Sequence, residues 1–211
     1  MKAIIVSGGT PPSKELLKSY LEEGDFLIAA DSGMNSLYDY NIMPNLILGD
    51  FDSSKKEALN FFKDNGVETL SFNSDKDYTD THLAYIKAKE RGIKDIIMLG
   101  VTGTRLDHSL GNIGLFLNSL EDGINLKIID DNNTMYVVDK KSTIKRVNGR
   151  VLSFHALSDE VKGFTITNAK YKLNNYDMKL FEPRAICNEF LDGDVTIDFK
   201  SGKILIILSK D

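Results

Sequence analysis

The chain has 211 residues, 42% hydrophobic and 27% charged, with a net charge of -5. That balance is that of a folded globular chain rather than a disordered one, and argues against general nucleic-acid binding, which needs a basic face. Apolar runs such as Ile96–Leu99 and Ile204–Leu208 are too short to cross a bilayer, and Met1-Lys2 leads into a strand-like segment without a signal-peptide pattern, so neither a membrane partner nor secretion is expected. A lone cysteine, Cys187, excludes an intrachain disulfide and points to a reducing, cytoplasmic location.

Short β-branched runs alternate with helical segments in the first two thirds. Ala3–Val6 reads as a buried strand, followed by the Gly8-Gly9-Thr10-Pro11-Pro12 loop and a helix that Ser13 caps and that runs through Glu23. Phe26–Ala30 is the next strand, then Asp31-Ser32-Gly33 and a short helix near Met34–Tyr40. Leu46-Ile47-Leu48 leads into Gly49-Asp50-Phe51-Asp52-Ser53, after which Ser54 and Glu57 form a capping box for a helix to about Asn65. A strand near Glu68–Phe72, a helix Thr79–Arg91, a strand Asp95–Leu99 and a helix His108–Leu120 complete the series. This alternation predicts an α/β domain with a doubly wound, mostly parallel sheet.

Beyond Ile124 no helix is predicted, and strand-length segments recur: Leu126–Ile129, Met135–Val138, Ser142–Arg146, Val151–Ala156, Phe164–Thr167, Ala185–Phe190, Val195–Phe199 and Lys203–Leu208. Their spacing predicts a C-terminal all-β sandwich, with domains of residues 1–131 and 132–211.

The acidic residues of the first half gather at the carboxyl ends of predicted strands, where open α/β sheets bind ligands. Asp31, the pair Asp50 and Asp52, the group Asp75, Asp77 and Asp80, and Asp107 all follow strands. Asp50 and Asp52, two apart, project to one side in extended backbone. Asp77 and Asp80, three apart, share a face if the helix begins that early. Carboxylates brought together need a cation, and hard oxygen donors favour Mg2+ with phosphates completing its shell. Asp50, Asp52, Asp77 and Asp80 are the candidate metal ligands. In Gly100-Val101-Thr102-Gly103-Thr104-Arg105-Leu106-Asp107-His108 a glycine-rich loop turns backbone N–H groups toward an anion, and Arg105 adds a bidentate phosphate donor. The alternative is a tight turn in which Arg105 pairs with Asp107 and His108 serves the helix start.

Together, Asp31-Ser32-Gly33, Gly49-Asp50-Phe51-Asp52-Ser53, Asp75-Lys76-Asp77-Tyr78-Thr79-Asp80 and Gly100-x-x-Gly103-x-Arg105-Leu106-Asp107-His108 resemble the thiamin pyrophosphokinase family, in its motif order and over essentially the whole chain. The resemblance implies a nucleotide-binding catalytic domain over 1–131 and a thiamine-binding sandwich over 132–211. It implies transfer of a diphosphate group from ATP to the thiamine hydroxyl, giving thiamine diphosphate and AMP, in a homodimer with shared active sites. Alternatives are a diphosphokinase for another hydroxymethyl heterocycle, such as a pterin, and a thiamine or nucleotide sensor without turnover.

On this reading Asp50, Asp77, Arg105 and Asp107 serve catalysis, one carboxylate orienting the hydroxyl or taking its proton. Asp31, Ser32, Gly33, Asp80, Gly103 and His108 bind substrate in the first domain. In the second, Tyr171 occupies the family's aromatic position and stacks on thiamine, while Cys187 and Asn188 fall where the family has Ser-Asn-Glu and bind substrate as well. Thr104 stands where a second glycine is frequent.

Overall fold

Four consecutive buried residues, Ala3–Val6, form strand β1 in the interior of a parallel sheet. The computed structural model describes residues 1–73, 77–103 and 105–210, and the chain divides into two compact units, Met1–Asp131 and Asn132–Asp211.

In the first unit β1 is followed by α1 (Lys14–Tyr20), β2 (Phe26–Ala30), α2 (Gly33–Tyr40), β3 (Leu46–Gly49), α3 (Lys56–Asp64), β4 (Glu68–Ser71), α4 (Asp80–Glu90), β5 (Asp95–Leu99), α5 (Leu106–Asp122) and β6 (Asn125–Ile129). The strands lie in the order β4-β3-β2-β1-β5-β6, every pair parallel. Parallel strands need crossover helices, and covering both faces makes the inner strands read as unbroken apolar runs. Ile4, Val6, Leu27, Ala29, Ile47, Ile97 and Leu99 pack with Leu17 of α1, Met34 and Leu37 of α2, and Ala58 and Phe62 of α3. The alternate residues Ala3, Ile5, Ile28 and Met98 are equally buried on the opposite face, where α4 packs on β1, β2 and β3, and α5 on β6.

The predicted helix ends shift for local reasons. The helix capped by Ser13 stops at Tyr20 rather than Glu23, because Glu22 N donates to Asp25 Oδ2 at 2.9 Å and Lys2 draws the carboxylates of Glu22 and Asp25 to 2.8 Å. The Ser54–Glu57 capping box does not form: α3 begins after Lys55, and Ser54 Oγ donates instead to Asp31 Oδ1 at 3.3 Å.

The second unit holds β7 (Asn133–Val138), β8 (Ser142–Ile144), β9 (Val151–Ala156), β10 (Glu160–Thr167), β11 (Leu173–Lys179), β12 (Val195–Asp198) and β13 (Ile204–Ser209). Strand β13 pairs antiparallel with β7 and β9, and the order β11-β10-β12-β8 forms a second antiparallel sheet. Phe154 of β9 and Phe164 of β10 meet edge-on at 5.5 Å in the core between them, so the unit is a sandwich. The predicted strand Ala185–Phe190 is absent: Ala185 and Cys187 have left-handed backbone (φ 63° and 56°), leaving single bridges at Asn188 and Phe190. The unforeseen strand is β11, an edge strand of which Met178 alone is buried. No helix among the described residues is long and apolar enough to cross a membrane.

Candidate active site

The strand order places β2 and β5 on opposite sides of β1, so the sheet reverses its direction of growth between β1 and β5. At such a switch point the loops leaving the two carboxyl ends diverge and open a crevice for ligands. Here they are also tied together: Ser7 N donates to Leu99 O at 2.9 Å, Gly9 N to Gly100 O at 2.7 Å and Thr10 N to Thr102 O at 2.8 Å. This approach demands glycine, because a Cβ on Gly9 would lie 2.3 Å from Thr102 O. Gly33 is required for a different reason: its Cβ would lie 2.1 Å from Val6 O, where α2 packs on the end of β1.

A cleft of about 350 Å³ opens over these loops, lined by Ser7, Gly8, Gly9, Asp31, Ser32, Thr81, Gly103, Arg105 and His108 among others. A second hollow of about 320 Å³ shares Ser7, Gly8, Gly9 and Ser32 with it and reaches Asn35, Tyr40 and Lys55. Asn112 of α5 holds the wall in place, its buried Nδ2 donating to Val101 O at 2.7 Å. The structure thus gathers Asp31, Ser32, Gly103, Arg105 and His108 around one cleft, with Gly33 immediately behind it.

The remaining acidic candidates are arranged differently from the expected geometry. Phe51 has φ 63°, so Asp50 and Asp52 do not flank an extended residue; the segment turns, and Asp50 Oδ1 accepts from Asp52 N at 3.2 Å. Asp50 is half-buried and Asp52 exposed. Helix α4 begins at Asp80, with Thr79 Oγ1 accepting from His82 N at 3.2 Å, so Asp77 lies ahead of the helix and shares no helical face with Asp80. Asp75 and Thr104 lie outside the described residues.

Arg105 makes the pairing that its spacing allowed. Its Nη2 donates to Asp107 Oδ2 at 2.6 Å and its Nε to Asp107 Oδ1 at 3.3 Å, with both side chains more than half exposed. The Arg105 hydrogen bond brings the Asp107 carboxyl down to about 2, and the same bond raises the guanidinium. Both groups are therefore charged throughout the neutral range.

In the second unit Tyr171 is exposed while its backbone is clamped: its N–H donates to Asn188 Oδ1 at 2.9 Å, and Asn188 Nδ2 donates to Tyr171 O at 2.7 Å. Asn188 is 1% exposed, so its amide is engaged in presenting Tyr171. The Lys170 ammonium sits 5.3 Å from the Tyr171 ring centroid. Cys187 is exposed, its backbone N–H donating to Ser153 Oγ at 3.1 Å.

Two family descriptions cover these units: thiamin pyrophosphokinase, catalytic domain, matches residues 17–128, and thiamin pyrophosphokinase, vitamin B1 binding domain, matches residues 139–204. The thiamine pyrophosphokinase of Bacillus subtilis (strain 168) is 33% identical over 214 residues, covering 100% of both chains. The chain belongs to the thiamin pyrophosphokinase family. A solved thiamine pyrophosphokinase structure from Bacillus subtilis matches with a TM-score of 0.90 at 30% identity over 100% of both chains. One from Geobacillus thermodenitrificans matches with a TM-score of 0.86 at 28% identity, covering 100% of this chain and 98% of that one.

As a member of this enzyme family the chain is an enzyme, and residues beyond the expected ones line its cleft. Ser7, Thr81, Thr102 and Asn112 line it without having been singled out. Position was the available signal for Ser7, which directly follows a strand and precedes two glycines. As for a cation, no group of three or more His, Cys, Asp or Glu converges among the described residues. Magnesium needs only one or two protein carboxylates when phosphates and water complete its octahedron, and the Asp50–Asp52 turn is a donor set of that kind.

Proposed function

We propose that the chain transfers a diphosphate group from ATP to the hydroxyl of thiamine, giving thiamine diphosphate and AMP, with Mg2+ as cofactor. It acts in the cytoplasm as a homodimer with shared active sites. The observation that carries this reading is the meeting of two glycine loops at the β1/β5 switch point, with Arg105 on the wall of the cleft they frame. A guanidinium is a donor that phosphate oxygens require, and glycines on the facing loops let a phosphate approach the backbone closely. The adjoining hollows of about 350 and 320 Å³ give room for an extended nucleotide.

The chemistry is in-line. The thiamine hydroxyl oxygen forms a bond to the β-phosphorus of ATP, the bond from that phosphorus to the α,β-bridging oxygen breaks, AMP departs, and the hydroxyl proton passes to a carboxylate. Positioning and charge stabilisation supply most of the acceleration in such a transfer. Arg105 stabilises charge developing on the transferred group, Asp31, Ser32, Gly103 and His108 line the substrate cleft, and Asp107 keeps the guanidinium aligned. Asp50 and Asp52 would supply oxygen ligands for magnesium, which when bound would neutralise phosphate charge, and Asp77 and Asp80 are the further carboxylates of the first domain. A carboxylate of this set that is not engaged by the ion takes the proton.

Incubating the purified protein with ATP, magnesium and thiamine is expected to yield AMP and thiamine diphosphate in equal amounts. AMP formed only with a hydroxymethylpterin would move the assignment to that acceptor, and no AMP with either would indicate a binding protein.

Tyr171 carries the thiamine half of the reading. Its ring already accepts the Lys170 ammonium, and the cationic thiazolium of thiamine is a better-shaped partner for the same face. Stacking on an aromatic ring is worth about 1–3 kcal/mol, so Tyr171→Ala is expected to raise the KM for thiamine about tenfold while that for ATP changes less than twofold. Mixing this variant with Asp50→Asn is expected to recover part of the activity if sites are shared. An unchanged thiamine KM would return Tyr171 to a surface role.

A further inference from the structure

Ser7 and Thr81 form a buried hydroxyl pair on the cleft wall that the mechanism above does not use. Ser7 is 5% exposed and Thr81, in the first turn of α4, 8% exposed. Thr81 Oγ1 donates to Ser7 Oγ at 3.0 Å, and both residues line the cleft. A serine hydroxyl that accepts a hydrogen bond keeps its own proton to give. No described residue takes that proton in the structure.

Leaving a buried donor without an acceptor is costly, so such a proton is normally met by a ligand or by water. Ser7 cannot withdraw to find another partner. Its N–H is held by Leu99 O, and its carbonyl is packed so closely that a Cβ on Gly100 would lie 2.5 Å from it. The cleft is the remaining direction; its wall carries the Arg105 guanidinium, paired with Asp107, and the Asp31 carboxylate, and on the phosphate-transfer reading the acceptor that enters there is a nucleotide oxygen.

We propose that Ser7 donates its hydroxyl proton to a phosphate oxygen of the bound nucleotide, and that Thr81 is the positioning residue that holds Ser7 in the orientation for doing so. This rests on the phosphate-transfer reading of the cleft. It also ties the first turn of α4, which carries Asp80, to the loop after β1.

The test is calorimetric titration of the full chain with ATP in magnesium, with steady-state kinetics beside it. A hydrogen bond to a charged oxygen is among the stronger kinds, so Ser7→Ala is expected to weaken ATP binding about tenfold, raise the KM for ATP to match, and leave the KM for thiamine within twofold. Thr81→Val is expected to weaken ATP binding about threefold, Thr81→Ser to restore it, and the double variant to be no worse than Ser7→Ala, because Thr81 acts through Ser7. If alanine lowers the melting temperature, Ser7→Cys, a similar volume with a poorer donor, is expected to weaken ATP binding likewise. Parent-like ATP affinity in a folded Ser7 variant, a loss confined to thiamine, or additive losses in the double variant would overturn the proposal. A parent protein that binds ATP but forms no thiamine diphosphate would sink the reaction assigned above while the titration still decides Ser7. A parent that does not bind ATP would overturn both.

Discussion

Arg105→Ala is expected to lower kcat by about a thousandfold, with the melting temperature changed by no more than a degree or two. An arginine that meets charge on a transferring phosphoryl group is worth about 10³ or more in rate, whereas its pairing with Asp107 holds little of the fold. Both side chains of that pair are more than half exposed, and exposed ion pairs add little to stability. The guanidinium can therefore exchange Asp107 for phosphate at small cost, and the carboxylate, held charged down to about 2, keeps it aligned until then. Arg105→Lys keeps the charge but loses the planar fork, so a loss of about ten- to a hundredfold is expected. Asp107→Asn is expected to lower kcat in the same direction by less. Steady-state rates within threefold of the parent for Arg105→Ala would reduce Arg105 to a partner of Asp107.

The α/β half of the fold was legible because the parallel strands are buried on both faces. Runs such as Ala3–Val6 and Ile96–Leu99 then have no polar alternation to obscure them, and glycines or capping hydroxyls punctuate the helices between. The sandwich was legible as a class, less so strand by strand. Strand β11, Leu-Asn-Asn-Tyr-Asp-Met-Lys, lies at a sheet edge and its register against β10 shifts twice, which erases the period of two. Ala185–Phe190 has strand-like residues, yet the left-handed backbone at Ala185 and Cys187 is not encoded by any residue type that announces it. The same limit applied at Phe51, where a positive φ on a bulky residue turned an expected extended pair of carboxylates into a tight turn. Loop chemistry showed in the sequence because glycines and an arginine in nine residues are unusual. The Ser7–Thr81 contact spans 74 positions and joins two ordinary hydroxyl residues, so only the packing of α4 against β1 reveals it.

Asp50→Asn is the substitution that separates charge from shape. Asp50 stands directly after β3, half-buried, and its Oδ1 accepts the Asp52 N–H that closes the turn. An asparagine carbonyl can accept the same hydrogen bond in the same volume, so the turn and the melting temperature are expected to be retained. What disappears is a negative oxygen donor for a hard cation. Charge stabilisation of a phosphoryl oxygen by a bound ion is worth several kcal/mol, so kcat is expected to fall by about two orders of magnitude or more, with a higher magnesium concentration needed for half-maximal rate. Asp52→Asn is expected to move both quantities in the same direction. In the parent, excess chelator is expected to stop turnover and added magnesium to restore it. A folded Asp50→Asn protein with parent-like rate and magnesium dependence would remove Asp50 from the metal set and leave Asp77 and Asp80 as the carboxylates to test. Full turnover of the parent in chelator would remove the cation itself from the proposed reaction, leaving Arg105 as the balance to the phosphate charge.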